Sequence, residues 1–176
     1  MKSFAAMLIL IGEVFAVSAS AEDLKVDELV IAKTQPGQRP NATIQTARAF
    51  YEFWNTGDEQ LLKISISPLF VDHTLPNGRP QGPDGPAFAS KTSRAAVPDL
   101  NVEVIKMIVA GDWVTVHVEF KGHFTGRFGS TRGNGQTIDF IATDLLKISA
   151  NRIADNWHIE DNLTLLSQMG VAKVEP

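Results

Sequence analysis

The stretch that decides the fold is Thr137-Ile-Asp-Phe-Ile-Ala-Thr-Asp-Leu-Leu-Lys-Ile-Ser149, followed after two residues by Arg152-Ile-Ala-Asp-Asn-Trp-His-Ile-Glu-Asp161. Apolar and polar residues alternate along the first segment with a period of two, which is typical of a half-buried β-strand. Ala150 and Asn151 separate the two segments by the length of a tight hairpin turn. We therefore predict an antiparallel hairpin over 137–161, with one face toward a core.

One charged residue interrupts the apolar face of the first predicted strand. The even positions of this strand are Ile138, Phe140, Ala142, Asp144, Leu146 and Ile148. A carboxylate on a buried face costs several kcal/mol unless it is paired or hydrated. A hairpin centred near Ala150-Asn151 places Asp144 opposite His158, with their Cβ atoms about 4.5–5.5 Å apart, whereas a slip of one residue moves one of the two to the other face.

The pairing of Asp144 with His158 allows a functional and a structural interpretation. In the functional one, His158 is the general base or acid at the floor of a pocket, and Asp144 fixes the imidazole tautomer and stabilises the imidazolium. In the structural one, the two residues form a buried ion pair without chemistry, or Asp144 pairs with Lys106 or an arginine. The second strand is expected to carry Asn156, His158 and Glu160 on one face and Ile153, Trp157 and Ile159 on the other.

A second predicted hairpin and a glycine-rich segment lie upstream of the first hairpin. Val102–Ala110 and Trp113–Lys121 also show a period of two, and Gly111-Asp112 between them is a two-residue turn signal. Gly122–Gly135 is rich in glycine, which predicts a long, exposed connection.

The region before these strands is predicted to be mainly helical. Apolar residues recur at helical spacing at Ile44, Ala47, Phe50, Tyr51 and Trp54. Gly57 fits the end of this helix, and Asp58 fits the start of a second helix that stops before Pro68. The remaining predicted elements are a strand at Leu69–Val71, a loop at Pro76–Pro86, a third helix at Phe88–Val97 and a last short helix at Leu163–Met169. Helices followed by an antiparallel meander define an α+β domain in which the sheet wraps the helices.

The first residues resemble a targeting segment rather than part of the fold. Lys2 precedes an apolar run, and Ala19-Ser20-Ala21 offers a small-residue cleavage site, which together predict a secretory signal peptide over 1–21. Glu13 inside the apolar run also suits the alternative, an amphipathic helix of a soluble protein. We expect an extended arm over 22–41 and one domain over 42–172, in a secreted or periplasmic protein without stable membrane insertion after cleavage.

The composition of the chain excludes several kinds of binding partner and catalytic group. The 176 residues include 16 basic and 20 acidic ones, for a formal net charge of −4, and this disfavours a nucleic-acid partner. The absence of cysteine excludes disulfides, thiolate metal sites and a cysteine nucleophile. The four histidines show no metal-ligand spacing, and no phosphate-binding glycine motif is present. We therefore expect no metal site and no cofactor, and side-chain acid–base chemistry alone.

Five short segments in order carry a resemblance to a known family. They are Phe50–Asp58, Phe70–His73, Pro98-Asp99-Leu100, Gly122–Gly126 and Arg152–Gly170. Taken together over Ala42 to Val171, they resemble the SnoaL-like polyketide cyclases of the nuclear-transport-factor-2-like superfamily. The resemblance implies a cone-shaped α+β barrel, in which a curved, mainly antiparallel sheet wraps about three N-terminal helices around an apolar pocket, often in a homodimer formed through the sheet.

The resemblance also implies a type of chemistry. Family members with known chemistry catalyse aldol cyclisation of polyketides without a cofactor. They use an aspartate directly after the tryptophan of the last strand, assisted by a histidine on the neighbouring strand. Here His158 follows Trp157, and Asp144 stands at the position matching that histidine, so the two residue types are exchanged. The exchange favours another proton transfer or water activation over the family's own reaction.

These observations give one main hypothesis and two alternatives. The main hypothesis is a cofactor-independent acid–base enzyme of the cyclase, isomerase or hydrolase type, with His158 and Asp144 as catalytic residues acting on a small apolar molecule. Its predicted substrate-binding residues are Trp54, Phe70, Asp72, His73, Phe140, Leu146, Asn156 and Glu160. The alternatives are an exported, non-catalytic small-ligand-binding protein with the same pocket and a dimeric interaction module with a filled pocket.

Overall fold

The structure, a computed structural model, describes residues 24–33 and 36–173. The predicted signal peptide over 1–21 lies outside the described residues. In chain order the elements are β1 (Val26–Ile31), α1 (Pro40–Thr56), α2 (Glu59–Ser65), β2 (Ile66–Asp72), α3 (Asp84–Ala96), β3 (Asn101–Ala110), β4 (Trp113–Phe124), β5 (Arg127–Phe128), β6 (Thr131–Arg132), β7 (Gln136–Ser149), β8 (Arg152–Glu160) and α4 (Asn162–Gln168). Part of the predicted N-terminal arm is therefore a strand. Within the described residues, no helix is both long and apolar enough to cross a membrane.

A curved six-stranded sheet organises the molecule, in the order β1-β3-β4-β7-β8-β2. The inner strand pairs β3–β4, β4–β7 and β7–β8 are antiparallel, while the two edge strands join in parallel. This confirms the predicted α+β fold with a mainly antiparallel sheet. In the described part of the chain the sheet does not close into a complete barrel, because β1 and β2 remain as separate edges.

Local sequence signals determine where the helices begin and end. Gly57 has a φ of 73°, in the left-handed region, and its backbone N–H caps the end of α1 by donating to the Phe53 carbonyl. The side chain of Asp58 caps α2 by accepting from the Gln60 N–H at 2.8 Å. Both predicted caps are confirmed. The helix α3 begins at Asp84 rather than Phe88, because proline is tolerated in a first helical turn and Pro86 falls there.

Two predictions about strands are wrong. The strand β2 begins at Ile66 instead of Leu69 and includes Pro68, which an edge strand tolerates because part of its backbone forms no ladder hydrogen bonds. Gly122–Gly135 is not a fully exposed connection, because β4 continues to the fully buried Phe124 and the short pair β5–β6 follows. A Cβ atom at Gly133 would collide with the backbone of Phe124, so this glycine permits close packing rather than flexibility.

The hairpin of β7 and β8 contains a bulge that sets which residues face inward. Ala150 and Asn151 both have a positive φ, 49° and 58°, as a tight primed turn requires. Next to the turn Ile148 pairs with Ile153, but beyond it Lys147 pairs with Asp155, so that Ala154 is an additional residue on β8. If β8 continued in the register next to the turn without this bulge, Asp144 would lie opposite Trp157.

The bulge also corrects one assignment made from the alternation of β8. Ile153 was expected on the same face as Trp157 and Ile159, yet it is fully buried in the core. The alternation changes phase at Ala154, because the additional residue turns the strand by one position. As a result Ile153, Asn156 and His158 all lie on the inner side of the sheet.

Candidate active site

A cavity of about 330 Å³ lies between the helices and the inner face of the sheet. Eight aromatic side chains contribute to its wall: Phe50, Tyr51, Trp54, Phe70, Phe88, Phe120, Phe128 and Phe140. The rings of Phe120 and Phe140 stack at 4.9 Å, and Trp54 meets Phe120 edge-on. This volume and this lining are typical of a site for one small apolar molecule.

Asp144 and His158 meet at this cavity as direct cross-strand partners. The His158 Nδ1 lies 2.8 Å from the Asp144 Oδ1, so the geometry predicted from the hairpin is observed. The second ring nitrogen, Nε2, lies 3.0 Å from the Glu160 Oε2. A carboxylate can only accept, so both ring nitrogens carry a proton when Asp144 and Glu160 are ionised. The resting site therefore holds His158 as an imidazolium between two carboxylates.

Tyr51 supports Asp144 from the helical side of the cavity. Its hydroxyl donates to the Asp144 Oδ2 at 2.7 Å, and the tyrosine is only 1% exposed. The side chain of Asn156, two residues before His158 on β8, also helps to hold the pKa of Asp144 below its usual value. Asp144 itself is 3% exposed, and this buried carboxylate is satisfied by two donors on two elements, Tyr51 of α1 and His158 of β8.

The contacts within this cluster decide the charge of its members. Burial alone would lower the pKa of His158, but the charge of Asp144 and the hydrogen bonds with Asp144 and Glu160 raise it to about 10. Burial alone would raise the pKa of Asp144, but His158, Tyr51 and Asn156 together hold it below its usual value. Burial, and then the charge of Asp144, raise the pKa of Tyr51 well above its usual value. The cluster thus stabilises one charge state, Asp144 anionic and His158 cationic.

The sequence pattern does not identify Tyr51 as a functional residue, because Tyr51 is one of the apolar residues at helical spacing and this suggests a packing role. A signal was present, since Tyr51 is the single tyrosine of the chain and a buried phenol requires a hydrogen-bond partner. Thr74 was missed as well. Its hydroxyl accepts from the His158 backbone N–H at 2.7 Å and donates to the Asp72 Oδ1 at 3.1 Å. No sequence pattern distinguishes Thr74 from an ordinary loop threonine.

The structure brings six of the eight predicted substrate-binding residues to the cavity wall. These six are Trp54, Phe70, Asp72, Phe140, Asn156 and Glu160. Leu146 is fully buried in the core and does not line the cavity. His73 does not line it either, because its ring stacks on Trp157 at 4.2 Å and its Nε2 contacts the Asp155 Oδ1 at 2.8 Å. The predicted roles of Leu146 and His73 as pocket residues therefore do not match their positions.

The other two histidines also lie away from the cavity. His117 contacts the Thr143 hydroxyl at 2.9 Å, and His123 contacts the Asp99 carboxylate at 2.7 Å. Across residues 24–33 and 36–173, no group of three or more histidine, aspartate or glutamate side chains is arranged to hold a metal ion. His158 is thus the histidine that faces the cavity.

Comparison with known proteins gives the family of this fold and site. A sequence model of the SnoaL-like polyketide cyclases matches residues 44–169. The chain belongs to the SnoaL-like polyketide cyclase family. No curated protein matches the chain significantly.

Solved structures agree with this family. A protein of Bacillus cereus assigned as a polyketide cyclase is 35% identical, with a TM-score of 0.77 over 92% of this chain and 100% of that one. IdmH of Streptomyces antibioticus, also assigned as a polyketide cyclase, is 26% identical, with a TM-score of 0.66 over 73% of this chain and 99% of its own. A Catenulispora acidiphila protein with a ketosteroid isomerase-like fold is 20% identical, with a TM-score of 0.56 over 81% of this chain and 100% of that one, and it shares the fold alone.

Proposed function

We propose that the protein is a cofactor-independent acid–base enzyme of the cyclase or isomerase type that acts on a small apolar molecule in the cavity. The observation that carries the proposal is the 2.8 Å contact between Asp144 and His158 on the wall of a mainly apolar cavity. A charged acid–base pair in such a place is costly unless it has a function or is fully satisfied. Membership of a cyclase family supports the same class of reaction.

The chemistry that fits this site is proton transfer at a carbon next to a carbonyl group. Such a step needs one group to take the C–H proton and another to stabilise the oxygen anion that forms. His158 supplies the mobile proton of the site, and Asp144 holds its ring in place through Nδ1. Hydrolysis through an activated water remains a further option for the same pair, but no contact in the described residues favours it.

A hydrogen–deuterium exchange assay tests the proposal without knowledge of the natural substrate. Small apolar enolisable ketones, such as β-tetralone, are incubated with the protein in D₂O, and loss of the α-proton signal is followed by NMR. We expect the wild type to accelerate exchange and His158→Gln to lose about 10² to 10⁴ of that acceleration. Exchange at the buffer rate with every ketone of the panel would remove the proposed reaction class.

The alternative is a non-catalytic binding protein with the same cavity, and the size and aromatic lining of the cavity support it equally. This alternative predicts saturable binding of the ketones without exchange, and binding unchanged in His158→Gln. Mass spectrometry of the purified protein would then show a bound lipophilic molecule. The exchange assay and the binding titration on the same samples separate the two functions.

We further propose that the protein is exported and that two copies of the chain form a dimer. Export rests on the sequence of residues 1–21 and is tested by cell fractionation with sequencing of the mature N-terminus, expected at Glu22. Pairing through the outer face of the sheet is supported by large apolar side chains there, including Trp113, Ile141 and Ile159.

A further inference from the structure

We propose that Glu160 is the catalytic proton acceptor of this site and that His158 is its proton donor, which reverses the role of a histidine base. This inference rests on the proposed function and assigns the two halves of its proton transfer. It goes beyond the predicted role of Glu160, which was to bind the substrate.

The first argument is that His158 has no free lone pair in the resting site. Its Nδ1 donates to the Asp144 Oδ1 at 2.8 Å and its Nε2 donates to the Glu160 Oε2 at 3.0 Å. A ring with both nitrogens protonated can give a proton but cannot take one. As a base, His158 would first have to lose a proton that two carboxylates stabilise.

The second argument is that Asp144 cannot serve as the acceptor. Its carboxylate lies 3% exposed behind the imidazole, and both oxygens are already engaged, Oδ2 by Tyr51 and Oδ1 by His158. These donors fix its orientation and stabilise its charge, so its effect is to keep the proton on Nδ1. Asp144 and Tyr51 are accordingly positioning residues.

The third argument is the position of Glu160. It is the last residue of β8, it lines the cavity, and its side chain is 19% exposed. Among the described residues, its carboxylate has a single hydrogen bond, the one with His158. One carboxylate oxygen therefore remains without a partner at the cavity wall. Glu160 is the acceptor of the site that a substrate can reach.

These positions define a balanced step for an enolisable ketone. Glu160 takes the proton from the carbon next to the carbonyl, and the C–H electron pair becomes the double bond of the enol. The Nε2–H of His158 gives its proton to the carbonyl oxygen. The proton now on Glu160 then crosses the 3.0 Å contact to Nε2 and restores both residues. The net change is a keto–enol conversion without a cofactor.

The charged surroundings of His158 give this mechanism a distinct pH dependence. Tyr51 from α1, Asp144 from β7, Asp72 from β2 and Arg79 from the loop after β2 line the cavity with it, beside Glu160 on its own strand. Against the effect of its burial, Asp144 and Glu160 raise the pKa of His158 to about 10. We expect the exchange rate to stay level from about pH 7 to 9 and to fall as His158 loses its proton near pH 10. A histidine base with the same pKa would instead become about tenfold faster with each pH unit in that range.

The test uses the ketone exchange assay on the full protein with three variants. Glu160→Gln is expected to lose about 10² to 10⁴ of the acceleration, Glu160→Asp to keep part of it, and Glu160→Ala to regain activity when formate is added as a free carboxylate. Glu119→Gln is the matched control, because Glu119 is also a paired glutamate of the sheet but lies outside the cavity, and it should exchange at the wild-type rate.

The outcomes separate this inference from the proposed function. If the wild type exchanges and Glu160→Gln stays within about threefold of it, or the rate climbs steadily from about pH 7 to 9, the inference is wrong while the proposed function stands. If no ketone exchanges in the wild type, the proposed function fails and the inference fails with it. NMR of ¹⁵N-labelled protein adds a readout independent of turnover. A neutral His158 at about pH 7.5 would overturn its role as the donor.

Discussion

The protonation of His158 links the candidate site to the stability of the whole protein. Its pKa in the folded protein is about 10, against an ordinary value of 6.5 in an unfolded chain. A raised pKa means that the folded state binds the proton more tightly, so the stabilisation is fully present below about pH 6.5 and is lost as the pH rises toward 10. The pKa of Asp144 is shifted the other way, so its stabilisation is present above 3.8 and is lost as the pH falls.

This linkage predicts a specific alkaline loss of stability. The free energy of unfolding, measured in urea, should decrease between about pH 6.5 and 10 in the wild type. In His158→Gln the protein should be less stable at neutral pH, because Asp144 loses its cationic partner, and the decrease with pH should be much smaller. Parallel curves for the two proteins over this range would show that His158 is not held as a cation.

At the scale of single residues, the sequence predicts the Asp144–His158 pair but not all of the residues that line the cavity around it. Asp144 could be identified because it is the one charged residue on the even positions of β7, and the hairpin geometry then pointed to His158. Leu146 and Phe140 lie on the same face of the same strand, yet Phe140 lines the cavity and Leu146 is packed in the core. That difference depends on what other elements pack over each position, which the pattern of a single strand does not contain.

At the scale of elements, glycine in the segment after β4 acts through packing. The predicted exposed connection is instead folded back, with the Gly126 N–H donating to the Ala96 carbonyl and the Gly133 N–H donating to the Gly126 carbonyl. A glycine-rich segment is compatible with an exposed loop and with close packing, because glycine is favoured both where the backbone is flexible and where a side chain would not fit. The start of α3 at Asp84 shows the same limit, since a Pro and Gly cluster can open a helix as well as form a loop.

The close packing of Gly133 predicts the cost of filling it. Gly133→Ala should lower the free energy of unfolding by about 1–3 kcal/mol, because the new Cβ meets the backbone and ring of Phe124 and this segment must shift. Ser130→Ala is the control, because Ser130 lies in an exposed turn and is separated from Gly133 by Thr131 and Arg132. This substitution should change the free energy of unfolding by less than about 0.5 kcal/mol. Equal stability of Gly133→Ala and the wild type would mean that this segment is not packed as described.

At the scale of the whole molecule, the two faces of the sheet have different partners. The inner face packs on the helices and borders the cavity, while the outer face exposes apolar residues such as Trp113, Ile141 and Ile159. The family resemblance implied the overall architecture correctly, because the fold depends on the order and pattern of the elements. Pairing through the outer face stays a prediction, since a single chain contains no information on its own partner.

A charge on the outer face provides the test of pairing. Ile159 is 74% exposed on β8, and Ile159→Lys should convert a dimer to a monomer in light scattering while leaving the circular dichroism spectrum unchanged. Leu163→Lys is the matched control, because Leu163 is 57% exposed but lies on α4 rather than on the sheet. A wild type that is monomeric at all concentrations would remove the proposed dimer.

The additional residue in β8 has a consequence for how this site tolerates sequence change. Ala154 contributes a position rather than a functional group, so the facing of Asp144 and His158 depends on the number of residues after the turn. Replacing Ala154 by another small residue should preserve the site, whereas inserting one residue between Ala154 and His158 would bring Trp157 instead of His158 opposite Asp144. In this hairpin the length of β8 matters as much as residue identity, and relatives whose β8 has the same length but pairs without the bulge would need different side chains at these positions to present the same pair.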